Sequence, residues 1–125
     1  MEFRKHARAG RVFVELQTKE VIVENEQDFL DLVANARYSH GADTVILPTH
    51  SLSQSFYDLR SGFAGAVLQK ASNYRLSLAV IGDVSRLRSR AWLDFIRESN
   101  RERRIVFSDS IYTAIELLTD TEESK

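Results

Sequence analysis

Two hydrophobic rhythms run along this chain. Val12, Val14 and Leu16 stand at every second position, alternating with Phe13 and Glu15, which is the period of a strand. Residues 3–8 precede this run as a second strand. They are joined to it by Ala9-Gly10, where glycine permits the positive φ of a tight hairpin. A polar turn over residues 17–20 leads into Val21-Ile22-Val23, which reads as a further short strand, so the N-terminal part is expected to be antiparallel. From Asn25 the rhythm lengthens. Phe29, Leu32, Val33 and Ala36 recur at the three- and four-residue steps of a helix. Asn25 is a good N-cap, Glu26 and Asp28 suit the positive helix end, and Gly41 fits the left-handed closing position.

Two later runs, Thr44–Leu47 and Leu78–Ile81, lack polar alternation and read as central parallel strands covered on both faces. Pro48 ends the first and Gly82-Asp83 the second. Between them Ser53 is placed to cap a short turn. Asp58 is placed to cap a helix carrying Leu59, Phe63, Val67, Ala71 and Tyr74 at helical spacing. Ser89 is the expected cap of a helix that turns Trp92, Leu93 and Ile96 inward. Ile105-Val106-Phe107 is the last strand, and Ile111, Ala114, Ile115 and Leu118 form the last buried helical face. The pattern predicts an α/β fold in which antiparallel strands lead into a mostly parallel central sheet with about four helices. Residues 1–118 are expected to form one domain and residues 119–125 a polar tail.

Composition changes this picture little. The chain has 125 residues, 43% hydrophobic and 28% charged, with a formal net charge of -1, so bulk charge gives no reason to expect a polyanion partner. It has no cysteine, which removes disulfides, thiolate metal sites and a cysteine nucleophile and fits a reducing cytoplasm. No apolar run approaches the roughly 20 residues of a membrane span. The first eight residues lack the apolar segment of a signal peptide, so no export is expected.

The candidate chemistry gathers between Leu47 and Asp83. Loops at the carboxyl ends of parallel strands carry ligand sites, which brings Thr49, His50 and Asp83 to one edge. A helix starting near Asp58 aims its amides at the same edge, with Arg60 and Ser61 in its first turn. Gly62 and Gly65 leave that helix start flat. An interior glycine costs a helix about 1 kcal/mol, so a close approach by another group is expected there. The same residues also satisfy ordinary capping needs, which any such fold has. A Ser61–His50–Asp83 hydrolase set lacks a nucleophile elbow, and His6, His40 and His50 lack metal-ligand spacing. No catalytic, metal or cofactor residue is therefore assigned. Phe56, Tyr57 and Tyr74 are read as core and rim packing. Seven arginines, Arg86, Arg88, Arg90, Arg97, Arg101, Arg103 and Arg104, face only Asp94, Glu98 and Glu102. Their helical spacing favours a solvated, ion-paired face over a phosphate surface.

The order of elements resembles the STAS domains, the anti-sigma-factor antagonist fold. There an Asp, then Ser or Thr, then Gly, precede a helix whose first hydroxyl is a regulatory phosphosite. Phe56-Tyr57-Asp58-Leu59-Arg60-Ser61-Gly62-Phe63 looks like that place, with two residues between Asp58 and Ser61. Over nearly its whole length the chain is similar to the bacterial domain-of-unknown-function family DUF 4180. The similarity rests on Asn25–Asp28, Asp31–Ala36, Phe56–Gly65, Leu68–Lys70, Ser72–Arg75, Leu78–Asp83 and Asp94–Asn100. These resemblances imply a cytoplasmic, non-enzymatic regulatory or protein-interaction module, with a protein partner docking at the strand-end loop and the helix start after Asp58 (Thr49, His50, Asp58, Arg60, Ser61, Gly62, Gly65 and Asp83), or a homodimer formed through the exposed faces. The alternative is a domain that binds a small molecule or nucleotide phosphate, with weak hydrolase activity at most. Neither a nucleic acid nor a membrane partner is expected.

Overall fold

The computed structural model describes residues 1–8, 10–85 and 87–119. Ala9 of the hairpin turn, Arg86 of the arginine run and residues 120–125 of the tail lie outside the described residues. Five strands form one sheet in chain order. β1 (Glu2–Arg8) and β2 (Arg11–Gln17) pair antiparallel; β3 (Thr44–Pro48), β4 (Ser77–Ile81) and β5 (Ile105–Ser108) then add in parallel. The helices are α1 (Glu26–His40), the single turn α2 (Gln54–Tyr57), α3 (Phe63–Asn73), α4 (Arg90–Glu102) and α5 (Ile111–Thr119). The expected α/β architecture, with its antiparallel start and parallel centre, is the one observed.

Side-chain alternation divides the core in two. Val14, Val45, Leu47, Leu78, Val80, Ile105 and Phe107 point to one face, where Phe29, Leu32, Val67 and Trp92 of the helices pack on them. Phe13, Ile46, Ala79 and Val106 point to the other, against Ala114, Ile115 and Leu118 of α5. Each parallel strand is added beside the previous one through a crossover of one preferred hand, so α1, α3 and α4 share a face. α5 follows β5. It folds back across the opposite face. Arg11 pins its end: the guanidinium donates to the Leu118 carbonyl at 2.7 Å and lies over the Phe13 ring at 5.6 Å.

Three local expectations change. Val21–Val23 is not a strand of the sheet; Val23 makes a single parallel bridge to Leu52, with the Ile22 and Val23 amides on the Ser51 carbonyl. Leu93 is 50% exposed, and Phe95 with Trp92 and Ile96 faces the core in its place. Tyr74 lies beyond the end of α3 and is exposed.

Helices α3 and α4 both pass into their strands through arginines with left-handed backbone, Arg75 at φ 54° and Arg103 at φ 58°. Glycine takes this conformation without the Cβ penalty. The Arg75 side chain is exposed, and Arg37 bonds only its carbonyl. Replacing Arg75→Gly is expected to raise stability by about 1 kcal/mol, read from the urea midpoint at unchanged slope.

Candidate functional site

The carboxyl ends of β3 and β4 end side by side, with Pro48 opposite Ile81. Beyond them the chain opens into a cleft of about 580 Å³. Its lining includes Thr49, His50, Gln54, Tyr57, Asp83 and Trp92, with Ser89 at the start of α4. Val21, Leu52 and Leu87 supply apolar wall.

Most of the polar and aromatic groups are held by a nameable contact. Trp92 is buried. Its indole N–H donates to the Tyr57 carbonyl at 3.0 Å, and its ring meets Phe56, Tyr57, Phe95 and Phe107. The Tyr57 hydroxyl donates to the Thr49 carbonyl at 2.7 Å, which ties α2 to the end of β3. His50 Nε2 lies 2.8 Å from the Thr18 carbonyl. A carbonyl only accepts, so this nitrogen carries the proton. Asp83 accepts from the Ser85 amide at 2.9 Å, a turn-forming bond, and Ser89 caps α4 by accepting from the Trp92 amide at 3.1 Å.

The structure separates the residues that the sequence pattern grouped together. Thr49, His50 and Asp83 line the cleft. Asp58, Arg60, Ser61, Gly62 and Gly65 do not. Asp58 does not cap the long helix. It caps a 3₁₀ turn over Leu59–Ser61, accepting from the Arg60 amide at 3.1 Å. Gly62, at φ 79°, interrupts the helical path, and α3 starts only at Phe63, whose amide donates to Ser61 Oγ at 3.1 Å. The Ser61 hydroxyl itself donates to the Ser55 carbonyl at 2.6 Å. Of the longer helices, the one whose start reaches the cleft is α4, not α3, and the single turn α2 begins there with Gln54. The expected close approach at Gly62 and Gly65 is also absent, because a Cβ at either position would meet nothing within 4 Å among the described residues. Gly65→Ala is therefore expected to raise stability by roughly 1 kcal/mol through helix propensity alone, checked by urea denaturation.

The cleft residues not singled out beforehand as ligand-facing are Gln54, Tyr57, Ser89 and Trp92. The signal available was topological: a helix entered from the carboxyl end of β4 must begin over the same edge as the end of β3. The arginine run, where described, is largely structural. Arg97 pairs with Asp94 at 3.5 Å and Arg101 with Glu98 at 3.4 Å, both exposed, and Arg104 donates to the Leu76 carbonyl. Among the described residues, no group of three or more His, Cys, Asp or Glu is placed to hold a metal ion, and no helix is long and apolar enough to cross a membrane.

Gly82 lets the chain leaving β4 pass close to Thr49, a residue of the cleft wall. A Cβ there would lie 2.5 Å from Thr49 Oγ1 and 2.9 Å from its Cγ2, on a backbone at φ 149° that side chains rarely adopt. Gly82→Ala is expected to cost roughly 3 kcal/mol, clash and backbone strain together. Adding Thr49→Gly should recover the clash but not the strain, as a double-mutant cycle of urea midpoints would show.

No curated protein and no solved structure matches this chain. A family model does: the one described as Domain of unknown function (DUF4180) matches residues 8–118. That span takes in all the parallel strands and every residue lining the cleft, and on it the chain belongs to the DUF4180 family.

Proposed function

We propose that the domain is a cytoplasmic, non-enzymatic binding module that takes a small polar molecule in the cleft above β3 and β4. The observation that carries this reading is the cleft itself. Its volume, about 580 Å³, falls in the range of small-molecule sites, and an apolar wall and several polar side chains converge on it at the carboxyl edge of a parallel sheet. The absence of an enzymatic step is inferred from the commitments of the three residues a hydrolase would need. Ser61 is bonded to Ser55 and Phe63, His50 to Thr18, and Asp83 to the Ser85 amide; only the last two line the cleft. A nucleophile must share a hydrogen bond with its base.

Trp92 is the only tryptophan, so its emission reports on the cleft. A library of nucleotides, nucleosides, sugars and amino acids, screened by thermal shift and by that emission, is expected to yield a ligand. At a hundred times its dissociation constant the ligand adds about 2.7 kcal/mol of stability. Gln54→Leu, a change at an exposed cleft residue, should abolish both signals and leave the unliganded melting temperature in place. A library that moves neither signal would sink the reading.

A second reading has its own support. The resemblance of the element order to STAS domains implies a regulatory hydroxyl at the start of the helix after a parallel strand, and Ser61 is exposed just before α3, next to the open surface of Gly65. A phosphate on Ser61 would remove its donation to Ser55 and set negative charge at the favourable end of α3. In this reading a protein partner docks over Ser61–Gly65. Ser61→Asp and Gly65→Leu should each release that partner with the circular-dichroism spectrum unchanged. A partner retained by both variants would exclude this surface.

A further inference from the structure

We propose that the outer edge of β1 is a docking site for an extended acidic segment of a partner protein, added to the sheet as a further strand. This inference does not depend on the cleft. The strand order leaves β1 and β5 at the edges. β5 runs four residues and is flanked by α4 and α5. β1 runs seven and pairs with β2 residue for residue, from Glu2 opposite Gln17 to Arg8 opposite Arg11. It contains no bulge and no proline. In an antiparallel pair every second residue turns its N–H and C=O away from the partner strand, so β1 presents a straight row of donors and acceptors. Five of its seven residues are exposed, among them Ala7, which carries only a methyl group.

Natural edges of this length are usually blunted by a bulge, a proline or a cover. Among the described residues the device here is charge. Arg4, Lys5 and Arg8 are exposed, against the single carboxylate of Glu2, in a chain whose net charge is -1. His6 is already taken up by Glu15 at 3.0 Å. This charge decides the occupant. A second copy pairing antiparallel along the whole strand would set Lys5 opposite Lys5, which is destabilising, and its only favourable charge pairs would be Glu2 opposite Arg8 at the two ends. An acidic strand makes those positions favourable. Arg4 and Arg8 project from one face and Lys5 from the other, so an antiparallel partner meets all three with the pattern acidic-x-x-acidic-acidic. Backbone pairing would supply the affinity and these three pairs the selection.

The test uses the whole chain and a labelled, end-blocked peptide, Glu-Val-Thr-Glu-Glu-Val, with a second peptide in which each Glu is Lys. Fluorescence anisotropy is expected to show saturable, salt-sensitive binding of the Glu peptide only. Amide exchange by NMR should slow by about tenfold at alternate β1 positions when that peptide is bound. The triple variant Arg4→Glu, Lys5→Glu, Arg8→Glu should reverse the preference to the Lys peptide. If the variant does not fold, the exchange pattern of the unmodified chain decides the matter. Failure to bind the Glu peptide, binding that leaves β1 exchange unchanged, or a peptide-independent dimer protected along β1 would each overturn the proposal.

Discussion

The fold depends on burying β3 and β4 on both faces. Thr44–Leu47 and Ser77–Val80 expose nothing, and their side chains alternate between the two halves of the core. Each buried Val, Leu or Ile there contributes about 1.5–3 kcal/mol relative to exposure. An exposed pair such as Arg97–Asp94 offers about 1 kcal/mol at most. Apolar burial therefore decides the architecture, and charge only trims it. The two polar side chains caught in this layer are satisfied: Thr44 faces the Arg11 guanidinium, and Ser77 donates to the Arg103 carbonyl at 2.9 Å. An unsatisfied hydroxyl there would cost about 1–3 kcal/mol.

Double burial also locates the cleft. A strand covered on both faces can leave the core only at its ends, and both central strands end at the same edge, at Pro48 and Ile81. The loops that follow must turn outward together. Gly82 lets them pass in contact, and the Trp92–Tyr57–Thr49 chain of hydrogen bonds braces α4, α2 and the end of β3 around the space between. Phe56, Phe95 and Phe107 pack around the indole, so the wall behind the cleft is a rigid part of the core. Binding surfaces held on such a wall need little ordering when a ligand arrives.

The two proposed sites differ in kind. The cleft is concave and mixed in polarity, and suits a compact molecule. The β1 edge is linear and cationic, and suits an extended chain. They are built from different parts of the sheet, its parallel centre and its antiparallel margin.

Periodicity, caps and breakers were enough to read the five strands of the sheet, though they also marked Val21–Val23 as a strand, and to read α1 with its Asn25 cap, the Ser89 cap of α4 and the buried face of α5, because these depend on residues near one another in the chain. The same reasoning placed Thr49, His50 and Asp83 at one edge, since that follows from strand direction alone. It could not separate Asp58–Gly65 from the cleft. Only the fold decides that Gly62 takes a positive φ and that two short turns, each with its own cap, precede α3. Nor could it give Trp92 and Tyr57 a place in the wall, because helical spacing marks them simply as core. Their role arises from contacts spanning 35 residues of sequence. Local physics wrote the elements into the sequence; which side chains share the space at the sheet edge was decided by packing between elements far apart in the chain.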